Sequence, residues 1–243
     1  MKKKLGTLGA LLLAVMVAVT TGVVFGFGSP AIATEIPATA QVVFVGDSIT
    51  AGGGTWDPAN HSFPARWRNR VCGQVQSCRD RVRVIGNTGG CLVVSCGNVP
   101  ALKDEFQSKV LDLTPKPTTV IVEIGTNDLF MGVTDQQYGQ AYQQIMNLGI
   151  AAGVKVLIAT IPPTTTSWAW HTGHNPLRMG MNGWLRSYYG AANLFDIDAG
   201  LRIGSSGDAD PNYYYLQGVG DGLHPSSWGA TCIADWLDPA RIV

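Results

Sequence analysis

The chain has 243 residues, with 17 Lys and Arg balancing 17 Asp and Glu. A length of this order suits one α/β domain. With no surplus of basic residues there is no face to attract phosphate backbones, which excludes nucleic acid as an expected partner. No internal repeat or low-complexity tract divides the sequence.

Met1 to Lys4 is basic, Leu11 to Phe27 is mostly apolar, and A-I-A closes the segment at Ala33. That order predicts a cleaved secretory signal over residues 1–33, leaving a domain over 34–243. Thr20, Thr21, Gly22, Gly26 and Gly28 dilute the apolar run, which argues against a membrane span, and a second A-x-A at Ala38 and Ala40 leaves the cleavage point open. No cysteine stands near it to carry a lipid. Loss of Lys2, Lys3 and Lys4 leaves 14 basic against 17 acidic residues, a net charge of −3. The expectation is a secreted monomer with no stable membrane anchor.

Gln41 to Thr50 reads Q-V-V-F-V-G-D-S-I-T. A short apolar run ending at Gly46 predicts a buried parallel strand. Ser48 then falls just past its carboxyl end, where open α/β sheets hold their ligands. It is either a nucleophile on a rigid support or a turn serine capping the next helix. A Gly-rich loop, Ala51 to Thr55, precedes a helix from Ser62 to Cys72 with Phe63, Trp67 and Val71 on one face. Arg81 to Ile85 predicts a second strand, Pro100 to Leu111 a helix, and Thr119 to Ile124 a third strand. Thr134 to Ala152 is a long helix opened by an N-cap threonine, and Lys155 to Ile161 a fourth strand. Thr164 to Asn175 reads as a loop, Pro176 to Tyr189 as a helix, and Asn193 to Ile197 as the fifth strand. An irregular stretch with Gly204 to Asp210 and Tyr213–Tyr215 leads to a closing helix from Pro225 to Leu237. This alternation predicts right-handed βαβ crossovers: a flavodoxin-like three-layer α/β/α sandwich with a five-stranded parallel sheet.

Five cysteines remain after the signal. In an oxidising compartment Cys72 with Cys78 and Cys91 with Cys96 would each close a short loop, leaving Cys232 as a buried free thiol.

Three chemically loaded turns share the rim of Ser48: Gly86 to Cys91 after the second strand, Gly125 to Asp128 after the third, and Asp221 to Pro225 just before the last helix. A serine hydroxyl needs an adjacent base. Of His61, His171, His174 and His224, only His224 has a carboxylate three residues earlier in a glycine-containing turn. Asp221 could hold one ring nitrogen while the other faces Ser48; the alternative is a helix-start histidine beside a capping aspartate. The Ser48 amide, an amide of Gly89 or Gly90, and the Asn127 side chain could supply oxyanion donors. The alternative for Asn127 is an Asx-turn. H-T-G-H at 171–174 lacks a third ligand, so no metal is expected. Trp168 and Trp170 either anchor their loop or line the substrate site.

Taken together, G-D-S-I-T, G-T-N-D and D-G-L-H-P in this order resemble the SGNH hydrolases, also called GDSL esterases and lipases. The resemblance spans nearly all of residues 34–243. It implies Ser48 as nucleophile, His224 as base, Asp221 as its orienter and Asn127 as an oxyanion donor, with no cofactor. The second block of that family is compressed here, so Gly89 and Gly90 compete for one role, with Gly90 favoured. The implied activity is carboxylic ester hydrolysis through an acyl-enzyme. The resemblance leaves open an ester of a lipid, of a small alcohol or of a carbohydrate O-acetyl group. An acyltransferase would use the same residues, and the rival of another class is a silent carbohydrate-binding protein.

Overall fold

The computed structural model describes residues 36–203, 207–209 and 220–243. The expected signal over 1–33 and the Tyr213–Tyr215 run lie outside the described residues. Five parallel strands form the main sheet: β1 (Val42–Gly46), β2 (Val82–Gly86), β3 (Thr119–Glu123), β4 (Lys155–Ala159) and β5 (Leu194–Phe195), in the order β2-β1-β3-β4-β5. This is the flavodoxin-like order, with a switch point between β1 and β3 where the crossovers change direction.

Helices are α1 (Ser48–Ala51), α2 (Pro58–His61), α3 (Phe63–Cys72), α4 (Gln76–Arg79), α5 (Leu102–Phe106), α6 (Asp135–Ala152), α7 (His171–Tyr188), α8 (Ile197–Leu201), α9 (Ser227–Trp236) and α10 (Pro239–Ile242). A two-residue antiparallel pair, β6 (Arg202–Ile203) with β7 (Asp208–Ala209), stands apart from the sheet.

Strand β1 is buried along its whole length, and its side chains alternate between two cores. Val42 and Phe44 join Trp67, Val71, Ile121 and Ile233 on one face. Val43 and Val45 join Phe106, Val122, Tyr138 and Tyr142 on the other. That period-2 division makes the three layers. Trp67 is fully buried, and its indole N–H donates to the Leu237 carbonyl at 3.0 Å, tying α3 to the chain end.

Capping explains several boundaries. The Ser62 hydroxyl accepts from the Ala65 amide, so α3 starts one residue after its cap. Thr134 and Gln137 form a reciprocal capping box at α6. Ser226 caps α9, which therefore begins at Ser227 and not Pro225. The expected fifth strand is cut to two residues because the Asp196 carboxylate accepts from the Ala199 amide and starts α8. Between α5 and Asp112 the chain widens to a π-turn, Gln107–Leu111. The wider turn lets the consecutive Val110 and Leu111 both reach the core.

Helix α7 corrects the sequence reading by opening at His171, five residues before Pro176. A proline inside a helix leaves the carbonyl four residues back without its partner. Here Pro176 and Thr172 are both exposed, so water can serve that carbonyl. Buried His171 anchors the first turn from within.

Both short-loop disulfides are present, Cys72–Cys78 and Cys91–Cys96, and Cys232 is free. Cys232 is half-buried, not fully buried as expected, and burial raises its thiol pKa. Peptide mapping without reduction should recover these two pairs. Replacing Cys91 and Cys96 by Ser together should lower kcat more than Tm, because the bridge fixes the loop that directly follows Gly89 and Gly90. A fall in Tm with unchanged kcat would make the bridge a purely structural clasp.

Candidate active site

Strand β1 delivers Ser48 through a turn that admits little bulk. The Asp47 carboxylate accepts from the Ile49 amide at 2.9 Å and so caps α1. Ser48 retains 9% exposure, and its Oγ lies 2.9 Å from Nε2 of His224. His224 Nδ1 lies 2.6 Å from Asp221 Oδ2. A carboxylate at Nδ1 places the ring proton there and leaves the Nε2 lone pair for the serine hydroxyl.

Asp221 holds its own turn, its Oδ1 accepting from the Leu223 and His224 amides at 2.9 Å each. Burial pushes this carboxyl up, but the imidazole and the two amides outweigh burial and hold it below the usual range. It is therefore an anion throughout the working pH range, able to stabilise an imidazolium. The Gly-rich loop after α1 fits against the same ring: a Cβ on Gly53 would meet His224 Cδ2 at 2.7 Å. Three glycines in a row directly after the serine turn were the visible signal for this contact.

Asp128 follows Asn127 on the short 3-10 helix Asn127–Met131. Its two oxygens accept from the Leu92 and Val93 amides at 2.8 and 2.9 Å, clamping the loop after β2 to the loop after β3. Burial raises the Asp128 pKa to about 6, against the opposing pull of those amides. Asn127 Nδ2 donates to the Gly90 carbonyl at 2.9 Å. An amide nitrogen carries two hydrogens, so one remains to point elsewhere. Gly90 N–H donates to the Asn87 carbonyl at 2.7 Å within a turn. That differs from the expectation favouring Gly90, whose hydrogen is already engaged. Gly89 sits at φ 76° beside it.

The two tryptophans separate. Trp168 is 4% exposed and Trp170 is 56% exposed. Both meet Phe130 edge-on, at 5.7 and 5.5 Å between ring centroids, and His174 lies over Phe130 at 4.4 Å. Phe130 was missed from sequence because its helical turn is too short to show a period. Thr165 N–H donates to the Gly222 carbonyl at 2.9 Å, so this aromatic group is joined to the turn that carries Asp221 and His224. His171 takes no part in it: its Nδ1 meets Thr164 Oγ1 and its Nε2 meets Asp208 Oδ1, each at 2.8 Å. Among the described residues no group of three or more His, Cys, Asp or Glu is placed to hold a metal. Asp196 and Asp198 pair with Arg178 and Arg186 and serve packing.

The sequence profile of the GDSL-like lipase/acylhydrolase family matches residues 44–231. No curated protein matches the sequence. Among solved structures, a GDSL-like lipase from Bacteroides thetaiotaomicron is 17% identical, with a TM-score of 0.62 over 87% of this chain and 92% of that one. A carbohydrate acetylesterase family member from Sinorhizobium meliloti is 15% identical, with a TM-score of 0.58 over 82% and 96%. A lipase/acylhydrolase from Enterococcus faecalis is 16% identical, at 0.54 over 82% and 93%. At these identities the likeness is one of fold.

Proposed function

The chain belongs to the GDSL-like lipase/acylhydrolase family and is an ester hydrolase, and from that premise we propose that it is a secreted serine esterase working through an acyl-enzyme on Ser48. The observation that carries this reading is the unbroken series Ser48 Oγ, His224 Nε2, His224 Nδ1, Asp221 Oδ2, at 2.9 and 2.6 Å. Ser48 attacks the ester carbonyl while His224 takes its proton, and Asp221 stabilises the imidazolium so formed. The tetrahedral oxyanion is received by the Ser48 amide, the second Nδ2 hydrogen of Asn127 and the Gly89 amide. His224 returns its proton to the leaving alcohol, then activates water to release the acid. Two disulfides and the absence, among the described residues, of any helix long and apolar enough to cross a membrane are compatible with export.

A carbohydrate O-acetyl ester is the second reading. The exposed faces of Trp170 and of Trp56, which is 77% exposed and lies over His61 at 4.1 Å, favour it. Pyranose rings pack on such indole faces. A panel of p-nitrophenyl esters of rising chain length, run beside acetylated xylan with Ser48→Ala as control, tests both. Ester turnover that persists in Ser48→Ala would overturn the mechanism.

The aromatic group supports a narrower expectation. Trp170→Ala should raise KM for long or polymeric esters several-fold, leaving acetyl esters and Tm nearly unchanged. Trp168→Ala removes a buried ring and should lower stability by about 3–5 kcal/mol. Equal kinetic losses on short and long esters in Trp170→Ala would remove it from the substrate site.

A further inference from the structure

Two acids stand under the nucleophile turn that the proposed chemistry does not use. Gly46 pairs in register with Glu123, so Asp47 enters its turn directly beside that glutamate. Both side chains have no exposure to solvent. Thr50, on α1, donates to Glu123 Oε2 at 2.8 Å, with the Glu123 carbonyl 3.1 Å from the same hydroxyl. One hydroxyl hydrogen cannot fully serve both. The remaining oxygens, Asp47 Oδ2 and Glu123 Oε1, are buried and have no hydrogen-bond partner.

Two adjacent buried anions would repel each other in a medium that screens poorly. The charged and titratable groups around them offer little relief. Asp128 adds negative charge from the 3-10 helix. Tyr138 and Tyr142, on α6, both donate to the Ile124 carbonyl and are held neutral by burial. The Ile49 and Gly125 amides and, among the charged groups, His224 draw Asp47 towards the charged form. Among the described residues no cation acts on Glu123.

We infer that Asp47 and Glu123 share one proton beneath the nucleophile turn, donated from Glu123 Oε1 to Asp47 Oδ2, so that the pair carries a single negative charge. The proton fills both vacant positions at once. It leaves Asp47 ionised, accepting from Ile49 through Oδ1, and places one buried negative charge within reach of the His224 imidazolium. Burial and the neighbouring Asp47 push the Glu123 carboxyl well above its usual range, in keeping with this arrangement. Glu123 is thus a positioning residue: it acts on Ser48 through Asp47.

The linkage has a definite sign. An acid whose pKa is raised by folding binds more protons folded than unfolded, so stability falls as pH rises from the unfolded carboxyl range to the folded pKa. Glu123→Gln keeps a donor facing Asp47 Oδ2 without a titrating proton, and should flatten that fall.

The direct experiment is infrared spectroscopy of the full chain in heavy water, comparing wild type with Glu123→Gln at about pH 8, where free carboxyls are ionised. The expected result is a protonated-carboxyl carbonyl band in the wild type that is missing from the variant. Asp128, with its pKa raised to about 6, contributes such a band only in acid. A second readout compares Glu123→Leu with Glu123→Gln. The leucine variant should lose about tenfold in kcat with little change in KM, and the glutamine should recover most of it. Absence of the band from the wild type at about pH 8 overturns the shared proton, and this result needs no variant to fold. A band unchanged in Glu123→Gln does the same.

Discussion

Ser48→Ala and His224→Ala should each lower kcat by roughly 10⁵–10⁶-fold with Tm little changed, the usual scale for removing nucleophile or base from such a unit. The size of the effect follows from their joint action. Without the imidazole the hydroxyl keeps its proton, and without the hydroxyl the imidazole has nothing to activate but water. Asp221→Ala should fall less, about 10⁴-fold, because the carboxylate orients and stabilises the ring without touching substrate. The double variant Ser48→Ala/His224→Ala should be no worse than either single one. A multiplicative loss in the double variant would mean that the two residues act separately, against the 2.9 Å contact between them.

Asn127→Ala should lower kcat by about 10²–10³-fold, the loss typical of one oxyanion donor, with KM changed much less. That donor meets full charge only in the transition state. The variant also removes the bond to the Gly90 carbonyl, so some loosening of the loop after β2 will add to the loss. Asp128→Asn separates the two effects, since it weakens the clamp on Leu92 and Val93 and leaves the Asn127 amide in place. If Asn127→Ala raises KM and spares kcat, Asn127 binds substrate in the ground state instead.

Much of this arrangement was legible in the chain because single residues signalled it locally. The runs V-V-F-V and T-V-I-V-E-I end at glycines and form β1 and β3, with Ser48 and Asn127 just beyond them. Asp221 and His224 lay three residues apart in one turn, so their contact required no knowledge of the fold. What stayed hidden depended on tertiary context. Asp196 looked like part of a strand, yet its carboxylate caps α8 and cuts β5 short. Pro176 looked like a helix start, yet His171 is held by Thr164 in the preceding loop and by Asp208 from a distant segment. Whether Gly89 or Gly90 could donate turned on a single turn hydrogen bond. Glu123 was visible as a lone acid in an apolar strand, but its meaning needed the register that sets Asp47 beside it.

The assignment of Ser48 as nucleophile is tested most directly by trapping the acyl-enzyme. The full chain would be mixed with a slowly hydrolysed p-nitrophenyl ester, quenched in acid, digested and mapped by mass spectrometry. The expected result is one acyl group per chain, on the peptide containing Ser48, appearing together with a burst of p-nitrophenol. It should vanish in Ser48→Ala and accumulate when deacylation is slowed in Asp221→Ala. Steady ester turnover with no acyl group on Ser48, or with the label on another residue, would contradict it.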